Sequence, residues 1–179
     1  MMRNVMVLVV ISSALLAVTA TARAAGPSDR FDAVVRRMLE EYVKVHRSLA
    51  ADTTRAVGPA ARALEKLASE LQAAPTGARH ADKYRALPAK IRLAAQHLSQ
   101  ARSLPAAREA MKELSRPFAL WAALAQPADF NVVYCSMAKA SWLQREAAIR
   151  NPYYGAQMLR CGEVVSGPAK GQADGHMKH

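Results

Sequence analysis

The sequence predicts an all-α protein, an up-and-down helical bundle with a C-terminal segment bearing cysteine and methionine packed on it. Three observations predict it. Four stretches repeat apolar residues at the three- and four-residue spacing of an amphipathic helix. The connections between them are short, which favours antiparallel neighbours. The inner stripes are rich in alanine, which lets helices approach closely. A chain of 179 residues, 51% of them hydrophobic, can bury one core and gives no sign of a second domain.

The first 24 residues are set apart from the fold. Arg3 precedes an apolar run over residues 5–18, followed by small residues ending in Ala22-Arg23-Ala24, the pattern of a secretory signal peptide with an A-x-A cleavage site. The run is too short for a convincing membrane span, and no later segment is long and apolar enough. The remainder is expected in a bacterial periplasm or outside the cell, without stable membrane insertion after cleavage. Cleavage removes Arg3 and Arg23 and no acidic residue, so the formal charge falls from +11 to +9. Such a charge speeds encounter with anionic surfaces. Export, and the lack of basic clusters interleaved with aromatics, argue against nucleic acid as a partner. The folded domain is expected over residues 25–166, including a Cys/Met segment at 130–162. Residues 167–179, rich in glycine and charge, are expected to form a disordered tail.

In the first helix Ser28 is the expected N-cap, and Phe31, Val34, Val35, Met38, Leu39, Tyr42, Val45 and Leu49 form the inner face. Tyr42 and His46 lie one turn apart. Asp52 or Thr53 can cap the second helix, which buries Val57, Ala60, Ala61, Leu64, Leu67, Ala68 and Leu71, with Pro59 either in its first turn or at a kink. The third runs over residues 82–101 and turns Tyr84, Leu87, Ile91, Ala94, Ala95 and Leu98 inward, with Pro88 a candidate first turn. The fourth starts after residues 103–105 and presents Ala107, Ala110, Met111, Leu114, Phe118, Trp121 and Leu124; Pro117 removes one of its hydrogen bonds. Gln126-Pro127 ends the bundle.

Beyond that point the composition changes. Phe130, Tyr134, Trp142, Tyr153 and Tyr154 are half of the ten aromatic residues of the chain. Residues 130–134 are short, β-branched and alternating, which suits an extended segment. Residues 141–150 are read as a brief helix stopped by Asn151-Pro152.

The same stretch holds both cysteines, each with a methionine close by: Cys135 with Met137, Met158 with Cys161. A Cys-x-Met pair in extended chain puts both side chains on one side, and residues three apart meet on a helical turn. If the turn after Asn151 brings the pairs together, two thiolates and two thioethers form a soft-donor set of the kind that selects Cu(I). The other reading is a disulfide between Cys135 and Cys161, the usual fate of an even number of cysteines after export, worth ~3 kcal/mol by loop entropy. The sequence leaves both open. Trp142, Tyr153 and Tyr154 serve either reading as a small local core. Asn151 suits a side chain bonded to the following turn.

Three sequence blocks flank these residues. LAADTT at residues 49–54, YCSMA at 134–138 with WLQ at 142–144, and IRNPYYG at 149–155 with MLRCGEV at 158–164 resemble the domain-of-unknown-function family 3347 over nearly the whole mature chain. Members are exported, mostly helical domains, some attached to periplasmic adaptors of heavy-metal efflux pumps. The family's usual Cys-Pro-Met is Cys135-Ser136-Met137 here, which keeps both sulfur donors and loses the rigid proline. The resemblance implies copper or another soft metal and, as partner, a periplasmic efflux adaptor or metal carrier; it names no reaction.

The terminal His176, Met177 and His179 are a second set of soft donors, in the expected tail. His46, His80 and His97 share no ligand spacing. No HExxH, paired-cysteine zinc pattern, EF-hand loop, GxSxG or glycine-rich phosphate loop occurs, so no enzyme activity is expected.

Overall fold

The computed structural model describes residues 27–73 and 81–170. The leader expected over residues 1–24, His80 and the tail donors His176, Met177 and His179 lie outside the described residues. Helix α1 spans Pro27–Ala50, α2 Val57–Ala73, α3 Ala81–Tyr84, α4 Leu87–Gln100 and α5 Leu104–Ala125. The long helices pack in sequence, α1 on α2, α2 on α4 and α4 on α5. Every inner-face residue expected of the second and third helices is buried. In α1, Val34 is half-buried and Val43 and His46 join the buried face; in α5, Trp121 and Leu124 are half-buried.

Proline sets several helix boundaries. The expected third helix is two pieces, α3 and α4, because Pro88 enters in the first turn of α4 and cannot continue a ladder from α3. Ser103 caps α5 by accepting from the Ala106 amide at 3.3 Å. Pro117 is buried inside α5, and Gln126 ends that helix in the left-handed region at φ 47°. Ser28 lies within α1, not before it.

The all-α expectation is overturned by a three-stranded antiparallel sheet after the helices. Strand β1 is Asn131–Cys135, β2 Ala140–Gln144 and β3 Glu163–Ser166, in the order β2-β1-β3. The central strand is the extended segment read in the sequence. The brief helix expected at 141–150 is instead β2 and an irregular loop. Local propensity there is overridden by pairing with β1, in which Val133 faces Trp142 and Cys135 faces Ala140. A segment whose backbone bonds are supplied by another strand needs no helix to satisfy them. The turn between the strands places Lys139 at φ 50°. The start of the expected tail is also ordered against the sheet: Ala169 is buried and donates its amide to Asn131 Oδ1 at 2.8 Å.

Two tyrosines close one flank of this sheet. Tyr42 of α1 is fully buried, and its hydroxyl accepts from the Leu143 amide at 3.2 Å and lies 2.7 Å from Ser115 Oγ of α5. The Tyr153 hydroxyl donates to the Ser141 carbonyl at 2.6 Å. Leu143 and Ser141 are alternate residues of β2, so the two hydroxyls satisfy backbone groups along an edge strand. Burial pushes the Tyr42 hydroxyl up to about 12 against the opposing hydrogen bonds from Ser115 and Leu143. Burial likewise raises Tyr153 well above its usual range. Both are therefore neutral donors over the ordinary pH range.

Candidate sulfur site at the end of the central strand

Cys135 ends β1 and is fully buried, whereas Cys161, in the loop before β3, is half-buried. Their sulfurs lie 2.8 Å apart as unbonded free thiols, across 26 residues of chain. A disulfide requires about 2.05 Å. The turn after β1 folds back so that the Ala138 amide donates to Cys135 Sγ at 3.5 Å.

Buried polar side chains place the second cysteine. Asn151 Oδ1 accepts the Tyr153 and Tyr154 amides at 2.8 and 3.3 Å, while its Nδ2 donates to the Cys161 carbonyl at 2.8 Å. Its backbone amide donates to Leu159, and its carbonyl accepts from Gly155. One buried asparagine thus ties both ends of the 151–161 loop, as the sequence reading of Asn151 anticipated in part. Gln144 does the same for the preceding residues: Oε1 accepts from Trp142 Nε1 and the Arg150 amide, and Nε2 donates to the Glu146 and Ala148 carbonyls at 2.6 and 2.9 Å. Gly162 allows the chain after Cys161 to pass close to the sheet, since at φ 142° a Cβ there would stand 2.8 Å from Trp142 and 2.9 Å from Val133. Trp142 meets Tyr153 edge-on, with ring centroids 5.6 Å apart.

Two anchors to the bundle were missed by sequence reasoning. Asp52 does not cap α2. Its carboxylate accepts the Ala156 amide at 2.9 Å and pairs with Arg108 of α5, which also donates to the Pro152 and Leu49 carbonyls at 3.2 Å each. The Ala156 amide and the Arg108 guanidinium hold the Asp52 carboxyl below its usual range. The other anchor is His46, fully buried, whose Nε2 lies 2.8 Å from the Arg150 carbonyl. A carbonyl only accepts, so Nε2 carries the proton and Nδ1 is bare; Nδ1 has no hydrogen-bond partner among the described residues. Burial lowers His46 to about 4, although the Arg150 carbonyl and Glu146 favour its charged form.

The two thiols are unequal. Burial disfavours the Cys135 thiolate, but hydrogen bonds from the Cys161 thiol, the Ala138 and Met137 amides and the Asn151 side chain outweigh it and lower its pKa. Cys161, which donates to that sulfur, is raised, with burial and charge on Cys135 adding to the effect.

Of the four sequence-predicted donors, the structure brings the two cysteines into contact. Met137 sits in the turn between β1 and β2 with its side chain 63% exposed; its carbonyl accepts the Tyr154 hydroxyl at 3.2 Å. Met158 is half-buried at the end of the 3-10 turn Gly155–Gln157, and its carbonyl accepts the Cys161 amide at 3.0 Å. Among the described residues no group of three or more His, Cys, Asp and Glu could hold a metal ion. The donors that meet are the two cysteine sulfurs. The donors suit a soft ion, but sulfurs each about 2.3 Å from one metal stand wider apart than 2.8 Å at any ordinary bond angle.

No helix among the described residues is long and apolar enough to cross a membrane. Compared with protein-family models, with curated proteins and with solved structures, the chain matches none.

Proposed function

We propose that the chain is an exported soft-metal-binding protein that takes Cu(I), or a related soft ion, on Cys135 and Cys161, with Met137 and Met158 as thioether donors. Its role is metal handling or efflux beside a periplasmic adaptor or carrier. The observation that carries the reading is the convergence of the two cysteines to 2.8 Å, with the Ala138 amide donating to Cys135 Sγ. Soft thiolate and thioether donors prefer Cu(I) to hard cations. The resemblance read in residues 134–138, 149–155 and 158–164 to a family of exported domains, some of them attached to metal-efflux adaptors, points the same way.

The test is an anaerobic titration of reduced protein with Cu(I) against a competing chelator. Wild type is expected to withdraw one equivalent, Cys135→Ser to withdraw none, and the Met137→Leu, Met158→Leu double variant to bind more weakly. Failure of wild type to compete, or unchanged affinity in the methionine variant, refutes the site as drawn. A second reading has its own support in the complete burial of Cys135. It is a structural or interaction domain closed by a permanent Cys135–Cys161 disulfide and taking no metal. A thiol count on protein purified without reductant separates the two.

A further inference from the structure

We infer that the Cys135–Cys161 pair is an ordered thiol–disulfide exchange couple for a low-molecular-weight disulfide, in which Cys161 meets the reagent and Cys135 resolves the adduct from inside. The inference stands apart from metal binding, because exchange needs two adjacent sulfurs and nothing else.

Access sets the order of events. Cys135 is fully buried at the end of the central strand, under the turn that supplies the Ala138 amide. Cys161 is half-buried in the loop. Its carbonyl is pinned by Asn151 Nδ2, and Gly162 lets the next residue pass beneath Trp142 and Val133, so its sulfur is held over Cys135. An external sulfur can reach only the outer thiol, and once there it lies beside a second sulfur that no solvent molecule needs to leave. Attack within a pre-positioned pair replaces a second bimolecular step.

With glutathione disulfide as reagent, Cys161 loses its proton and attacks one glutathione sulfur. The glutathione S–S bond breaks, a Cys161–glutathione disulfide forms, and one glutathione leaves as thiolate and takes up a proton. Cys135 then loses its proton and attacks Cys161 Sγ, forming the Cys135–Cys161 bond, breaking the mixed disulfide and expelling the second glutathione as a thiolate that takes up a proton. The two cysteines give up two electrons and glutathione disulfide gains them. An external dithiol reverses the sequence by attacking Cys161.

The experiment uses the reduced, metal-free full chain with glutathione disulfide, quenched with acid at intervals and read by mass. Wild type should pass through a transient adduct on the Cys161 peptide and finish as the internal disulfide with two glutathiones released. Cys135→Ser should stop at a stable Cys161 adduct. Cys161→Ser should react ~100-fold more slowly or less, because a buried thiol reacts only through local opening. Early adduct on the Cys135 peptide of wild type, a persistent adduct without closure, or no reaction at either cysteine overturns the inference. The wild-type peptide map decides even if a variant does not fold. Since no metal is present, exchange can fail while Cu(I) binding stands, and the converse.

Discussion

Acidification should weaken the fold through one histidine before carboxylates contribute. His46 is buried and neutral, bonded to the Arg150 carbonyl at the entrance of the loop that carries Asn151. Its folded-state value is lowered from 6.5 to about 4, burial being the largest cause. Between those values the unfolded chain binds a proton that the folded chain refuses. Stability is therefore fully present above about pH 6.5 and falls as the pH drops through the window. At about 1.4 kcal/mol per unit, the whole shift is on the order of 3 kcal/mol, and about 2 kcal/mol of it is lost between pH 6.5 and 5. Glu40, Asp52 and Glu146 also have lowered values, held by Arg145, by Ala156 with Arg108, and by hydrogen bonds including Arg47 that outweigh burial, respectively. Their contributions have the same sign but begin only as the pH falls into the ordinary carboxylate range, where the unfolded chain takes up protons. The perturbation is His46→Gln, which keeps a donor within reach of the Arg150 carbonyl and does not titrate. Urea unfolding at pH 7.5, 6.5, 5.5 and 5 should show wild type losing about 2 kcal/mol more than the variant across the window. Equal losses in the two proteins would refute the assignment of a buried neutral imidazole.

Asn151→Ala should lower stability by about 3 kcal/mol, since it removes acceptors for two amides and the donor to Cys161; a loss below ~1 kcal/mol in denaturant unfolding would mean the loop is held by other contacts. Gly162→Ala should cost about 2 kcal/mol, from positive φ and contact with Trp142 and Val133, and a melting temperature equal to that of wild type would contradict the close approach. Tyr42→Phe should cost about 2 kcal/mol by leaving the Leu143 amide without its acceptor and removing one partner of the Ser115 hydroxyl in the core. Adding Ser115→Ala should then recover part of that loss, and strict additivity in the double-mutant cycle would deny the contact.

The helices were legible because each is specified locally. Val57, Ala60, Leu64, Leu67 and Leu71 repeat at helical spacing, and the structure buries all of them. The sheet was half legible. Residues 130–134 read as extended from their own β-branched composition, and the strand formed is 131–135, but the partner strand 140–144 contains Ala, Leu and Gln, which favour helices in isolation, and becomes a strand through pairing and through Tyr42 of a distant helix. The meeting of the two cysteines was common to both readings of the sequence. The anchors to the bundle were not anticipated, because Asp52 and His46 act on backbone groups 104 residues away, and side chain to main-chain bonds of that span leave no periodicity in a sequence.

The tyrosine-lined flank of β2 has a consequence for the order in which the molecule assembles. Tyr42 and Leu143 are 101 residues apart, so this strand gains its outer partner only when the end of the chain returns to its first helix. Contacts of such long sequence separation close slowly. A chain emerging amino-terminus first can complete its helices while residues 131–166 are still unpaired, so the outer edge of the sheet is the last part of the molecule to be covered.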